Sequence, residues 1–172
     1  TALCDNAHGC AVLNDCKYGV GVEENSIELT LLRAAASPQM QSDQGEQHFR
    51  YGFTAWEGTF ADAPVVRQGL AFNEPIARES GSLKTFSAFS ADHENIIVDT
   101  LKPADDGSGD LILRLYESKK ADTVFHLLTD LPVAELIPCS MLEENNAASL
   151  APDAQLHARP FEIKTFRVRL MK

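Results

Sequence analysis

The chain has 172 residues, with 25 acidic against 15 basic side chains and a formal net charge of −10. That balance excludes nucleic-acid binding through a basic stripe, which would need cations to displace counterions from phosphate. It also argues against an anionic membrane surface, and no apolar run approaches the roughly 20 residues of a membrane helix. A chain this long hides roughly 70% of its unfolded surface, as one domain or two small ones. Thr1-Ala2-Leu3-Cys4 has no basic segment leading into an apolar core, so no signal peptide is expected. Cys4, Cys10 and Cys16 are evenly spaced and Cys139 stands apart, without the close pairs of a zinc site. Cys4 and Cys10 could flank a hairpin and oxidise; the alternative is four reduced thiols of an intracellular protein, since a chain of this size needs no staples.

Taken in order, strand signals dominate. Ala11-Val12-Leu13 runs into Asn14-Asp15-Cys16-Lys17-Tyr18-Gly19, a strand ending in a tight polar corner. The corner has two readings: a turn satisfied by its own hydrogen bonds, or an amide, carboxylate, ammonium and phenol facing a ligand. Ile27, Leu29 and Leu31 alternate with polar positions and predict a half-buried strand closed by Arg33. A long loop follows from Ala34 to Gln47. Phe49, Tyr51 and Phe53 then alternate on a returning strand and are predicted to fill the core. Asp62 before Ala63-Pro64 predicts an N-cap for a single short helix over 63–72, stopped by Asn73-Glu74-Pro75.

The run from Arg78 to Lys84 shifts towards linker composition, and a domain boundary is placed at or just after it, giving domains of 1–88 and 89–172. Beyond it the pattern is a meander. Ile96–Leu101 is apolar on both faces, Pro103–Gly109 is a turn cluster, and Leu111, Leu113 and Leu115 alternate on the return. Thr123, Phe125 and Leu127 face one way on the next strand, and Val133–Met141 forms another. In the last strand Phe161 and Ile163 share one phase and Phe166, Val168 and Leu170 the other, which predicts a β-bulge near Lys164-Thr165. Many short strands with turns between them predict a mainly β chain, an antiparallel β-sandwich with one short helix.

Residues for chemistry are sparse. His8, His48, His93, His126 and His157 show no spacing that presets a metal pair, and no nucleotide, metalloprotease or nucleophile-elbow motif is present. Glycoside hydrolysis needs two carboxyl groups flanking a bond in a cleft. Asp105, Asp106, Glu143 and Glu144 lie in turns and read as solubility residues. Asp15 and Asp43, at the corner and the long loop, are the better ligand-facing candidates. Trp56 is the only Trp, able to stack on a sugar ring or to fill core.

The ordered series AVLNDCKYG, IELTLLR, SP, DQGEQHFRYGF, SAFSADHENIIVDTLKPADDGSGDLILRLYE and PFEIKTFRVRL resembles the C-terminal β region of glycoside hydrolase family 38, the α-mannosidases, in the branch with cytosolic and bacterial members. The matching positions are Asn14, Asp15, Lys17, Tyr18, Gly19, Arg33, Ser37, Pro38, Asp43, Gly45, His48 and Phe49. Related sequences often run Tyr-Pro-His where this chain has Thr54-Ala55-Trp56, a departure that removes one histidine.

The resemblance implies residues 1–88 as the terminal part of a β-supersandwich and 89–172 as a small C-terminal sandwich. It implies a retaining, zinc-dependent α-mannosidase, cytoplasmic, whose zinc ligands, nucleophile and general acid belong to a separate N-terminal domain. No catalytic or metal residue, and no cofactor, is therefore assigned here, and the chain alone is expected to be inactive. Asn14, Asp15, Lys17, Tyr18, Arg33, Asp43, His48 and Trp56 are expected near substrate or a domain interface. Expected partners are the N-terminal catalytic domain, an α-mannoside or oligosaccharide, and a second copy of the chain in a homodimer. The rival expectations are a free-standing carbohydrate-binding sandwich and a purely structural interaction module.

Overall fold

The computed structural model describes residues 1–74, 76, 80–82 and 84–171, which form two compact units, Thr1–Ser80 and Gly81–Lys172. Pro75 of the helix stop, and Arg78, Glu79 and Leu83 of the linker run, lie outside the described residues. All paired strands are antiparallel, and the fold is mainly β with one short α-helix, as the strand patterning predicts.

In the first unit, β1 (Ala2–Cys4) and β2 (His8–Asn14) form a hairpin whose turn is tied by Asp5: its Oδ1 accepts from the N–H groups of Ala7 and His8, each at 2.7 Å. Strands β3 (Val20–Glu23) and β4 (Ser26–Leu29) form a second hairpin, and β5 (Tyr51–Glu57) pairs with β2 to give the order β1-β2-β5. Thr59 caps a 3₁₀ turn, Phe60–Asp62, before α1 (Val65–Asn73).

Several expectations are corrected here. The strand predicted to reach Arg33 ends at Leu29, and Leu31 and Leu32 are exposed, because its only ladder partner is the short β3, which sequence reading missed. Asp62 does not cap α1. Its carboxylate turns back to the Thr59 N–H (2.9 Å) and hydroxyl (3.0 Å), and α1 starts two residues later than predicted, behind Pro64, with no side-chain cap. Tyr51 and Phe53 do not fill the core; they are 63% and 72% exposed. The opposite phase, Gly52, Thr54 and Trp56, is the half-buried one. α1 packs on that side: a Cβ on Gly52 would meet the Phe72 ring at 3.4 Å.

The second unit contains β6 (Ser90–Ala91), β7 (Ile96–Pro103), β8 (Leu111–Glu117), β9 (Thr123–Phe125), β10 (Leu127–Leu128), β11 (Val133–Cys139), β12 (Leu156–Ala158) and β13 (Ile163–Leu170). A four-stranded sheet, β11-β13-β8-β7, supplies Leu113, Leu115, Leu136, Phe166 and Val168 to the core. The ladders β9-β12 and β6-β10 supply Phe125, Leu127, Leu156 and Ala158 to the same cluster. Each such Leu, Val or Phe side chain contributes about 1.5–3 kcal/mol by leaving water.

The bulge predicted in the last strand is absent. β13 pairs in unbroken register with β8 from Ile163 to Val168. The register shifts lie instead in β7, between Val98 and Thr100, and in β11, between Val133 and Glu135. The apparent phase change arises because β13 is interior and covered on both faces from Thr165 to Val168, whereas Phe161 and Ile163 are exposed.

On the outer face, Arg167 is 7% exposed and reaches Asp106 (2.9 Å), Ser108 Oγ (3.1 Å), Asp110 (3.4 Å) and the Glu143 carbonyl (3.3 Å). Glu143 in turn pairs with Lys102 at 2.5 Å and accepts from the Asp105 N–H at 2.9 Å. Asp105, Asp106 and Glu143 are therefore not merely solubility residues: they pin two turns to the sheet. The partners of Asp106 and Glu143 lie on strands far away in sequence, which no local pattern reveals, whereas Asp105 pairs with Lys102 three residues before it.

Candidate functional site

The polar corner is assembled from four segments. Asn14 ends β2, and its Oδ1 accepts from the Lys17 N–H at 2.7 Å, closing the turn locally. Asn73, the last residue of α1, donates to the Asn14 carbonyl at 3.2 Å. Asp15 takes the Arg50 N–H on Oδ1 (2.9 Å) and the Arg50 Nε on Oδ2 (3.1 Å), while its own N–H donates to the Arg50 carbonyl at 3.3 Å. Arg50 continues over the Phe72 ring, 5.2 Å from its centroid, and donates to the Phe72 carbonyl at 3.2 Å. The corner is thus locked to the start of β5 and the end of α1.

The electrostatics follow. The Arg50 N–H first, then the Cys16 thiol and the Arg50 guanidinium, hold the Asp15 carboxyl down at about 2. The same contact to Asp15 pushes the Cys16 thiol up. Asp43 accepts the N–H groups of Ala34 (2.9 Å) and Arg33 (3.2 Å), which lower its pKa with help from the Lys17 charge. Both carboxylates are therefore ionised near neutrality and occupied by backbone donors. They brace loops and hold no proton to give a leaving group.

Of the expected residues, Asn14, Asp15 and Lys17 come together, with Lys17 Nζ 4.8 Å from the Phe49 ring centroid. Tyr18 projects outward, 95% exposed. Arg33 and Asp43 form the brace of the long loop. His48 is exposed, with Nε2 3.3 Å from Glu46. Trp56 lies across Gly9, where a Cβ would stand 2.1 Å from the ring, and donates Nε1–H to the Thr59 carbonyl at 3.0 Å. Sequence reading did not single out Arg50, Phe72 or Asn73. Arg50 sits in a strand-like alternation whose partner is 35 residues away, so nothing local marks it.

His93 and His126 both contact Asp92, at 2.9 and 3.1 Å, and His157 contacts Asp122 at 2.7 Å. Among the described residues no three His, Cys, Asp or Glu side chains converge as a metal site, so these residues do not fit the zinc that the family implies and no step is assigned to it here. The register Leu3↔Cys10 and Cys4↔Gly9 puts Cys4 and Cys10 on opposite faces of their hairpin, so the bridge considered between them is not formed.

The family model for the glycosyl hydrolases family 38 C-terminal beta sandwich domain matches residues 95–166, and that for the family 38 C-terminal domain matches residues 1–41. Alpha-mannosidase G of Dictyostelium discoideum is 36% identical over 92% of this chain, which spans 16% of that relative. Human Alpha-mannosidase 2C1 is 34% identical over 85% of the chain and 15% of its own length. Among solved structures, a family 38 protein from Enterococcus faecalis superposes with a TM-score of 0.74 at 22% identity, over 98% of this chain and 22% of that one. An α-mannosidase of the same organism gives 0.75 at 22% identity, over 98% and 20%. These two establish likeness of fold. Together with the matched models and the relatives, they make this chain a member of glycoside hydrolase family 38, within its C-terminal β region.

Proposed function

We propose that this chain is a non-catalytic part of a longer α-mannosidase that removes terminal α-mannose residues, and that it buttresses the catalytic domain and shapes the rim of its cleft. The supporting observation is the open face of the β1-β2-β5 sheet. Helix α1 covers one side. The other carries Leu3, Cys10, Val12, Tyr51 and Phe53 in one phase, with the two aromatics exposed. Apolar surface of this kind marks an interface, and a supersandwich would cover it with strands from the rest of the protein. The relatives' names supply the substrate class. In this reading the longer enzyme retains anomeric configuration, binds zinc in its N-terminal domain and works in the cytoplasm.

The test is hydrolysis of p-nitrophenyl α-mannoside by the longer protein and by this chain alone. Activity in the longer protein, none in this chain, is expected. Zinc-dependent turnover by the chain itself overturns the assignment. A second reading, a free-standing carbohydrate-binding sandwich, is favoured by Tyr51 and Phe53, two exposed aromatics on one face of β5. It requires those rings to remain solvent-accessible in the longer protein, which solvent-accessibility labelling of Tyr51 measures.

A further inference from the structure

We propose that the second unit carries a glycan-binding pocket of its own, at the place where β11 leaves β13. A cavity of about 440 Å³ opens there. β11 pairs with β13 down to Cys139↔Thr165 and then turns away, so Ile163 and Lys164 have no ladder partner on that side. The Glu162 carbonyl accepts from the Glu117 N–H, on the β8 side. Alternation along the strand therefore points the N–H and C=O of Ile163 the other way, into the cavity.

Six polar side chains line the same space: Asn146, Gln155, His157, Glu162, Lys164 and Thr165. Thr165 is 5% exposed and borders the cavity. Asn146 and Gln155 are exposed at its rim, so their amides are open to a ligand. Pro138, Leu156 and Phe166 supply an apolar wall.

The chemistry selects the ligand. Lys164 lies 3.3 Å from Glu162 and His157 lies 2.7 Å from Asp122, so the charged groups of the lining are paired and disfavour an anion such as phosphate. Only one residue's backbone pair is open, too short a row for an added peptide strand. What remains is a neutral ligand with many hydroxyls and one apolar face, about the size of one or two pyranose rings. The α-mannosyl identity of that sugar rests on the proposed mannosidase reading; the existence of the pocket does not.

The test is a titration of the ¹⁵N-labelled chain with an α-linked mannobiose, followed through backbone amides, with inorganic phosphate in a parallel arm. Saturable shifts at Ile163, Asn146 and Gln155 are expected, and Gln155→Ala and Asn146→Ala should each weaken binding about tenfold, as one lost hydrogen bond to a neutral ligand does. Both replaced side chains are exposed, so the variant spectra should stay dispersed as in the parent. No saturable shift, shifts that map to Tyr51 and Phe53 instead, saturation by phosphate, or unweakened binding in both variants overturns the proposal. Hydrolysis by the longer protein is read separately, so loss of the pocket leaves the mannosidase reading standing, and the reverse.

Discussion

Asp15 and Arg50 are joined three times over: backbone N–H to carbonyl, carboxylate to backbone N–H, and carboxylate to guanidinium. This one pairing closes the polar corner onto β5. The Asp15 pKa falls from 3.8 to about 2 on folding. A lowered carboxyl pKa gives stability that is present above the unfolded value and lost as pH falls through the folded one. The first unit should therefore lose stability between about pH 4 and pH 2, and Asp15→Asn should flatten that dependence. Thermal melts followed by Trp56 fluorescence across this range check it; an unchanged slope in the variant removes Asp15 as its source.

Gly9 lies under the Trp56 ring, 2.1 Å from where a Cβ would stand. Gly9→Ala should displace the indole, break its bond to the Thr59 carbonyl and cost about 1–3 kcal/mol. With a single Trp in the chain, the emission maximum reports the change directly. A native melting temperature and emission spectrum in the variant contradict the packing described.

Glu117 is 1% exposed, and its carboxylate is held by neutral donors. Its carboxylate accepts from Asn95 Nδ2 (2.9 Å), the Lys119 N–H (2.7 Å) and the Phe161 N–H (2.9 Å), the last belonging to a residue at φ 58°. Burial pushes its pKa up, but these donors outweigh burial and hold it below 4.5. Glu117→Gln keeps the shape but sets an NH₂ against an N–H donor, whichever way the amide turns. The expected cost is about 1–3 kcal/mol, read by urea unfolding.

Lys17 and Tyr18 separate two roles in one corner. Lys17 covers the Phe49 ring and faces Asp43, whereas Tyr18 is exposed. Lys17→Ala should lower the melting temperature of this chain slightly, and Tyr18→Ala should leave it unchanged. In the longer protein, Tyr18→Ala should reduce mannosidase activity or weaken domain docking if the corner faces the cleft. Parent-like activity together with parent-like melting temperature makes Tyr18 a bystander.

The open face of β2 and β5 should make the isolated chain self-associate. Ala11–Leu13 lies in β2, the central strand, paired on both sides, and Ala11 is fully buried. The association is therefore expected through the Tyr51–Phe53 face rather than through a β2 edge, as a two-fold dimer. Light scattering over a dilution series should show a dimer that Phe53→Lys abolishes. A strictly monomeric mass at high micromolar concentration rules out this association.

The chain's own order of residues determined that the protein is mainly β, where most turns fall, and that it has one helix. These are local properties: alternation, Gly and Pro punctuation, and turn side chains act over a few residues. The ordered segments from AVLNDCKYG to PFEIKTFRVRL also carried the family resemblance, because a family is itself a pattern in sequence.

Which face of each strand is covered was decided only in three dimensions. Tyr51 and Phe53 alternate like core residues yet stand exposed, because α1 lies on the Gly52 and Trp56 side. Phe166 and Arg167 are adjacent and both buried, because β13 has hydrophobic strands on one face and an ionic cluster on the other. The partners of Asp15 and Glu143 were likewise invisible in the sequence. Hydrogen bonds and burial join residues tens of positions apart, and tertiary packing alone chooses among the faces that local periodicity leaves equivalent.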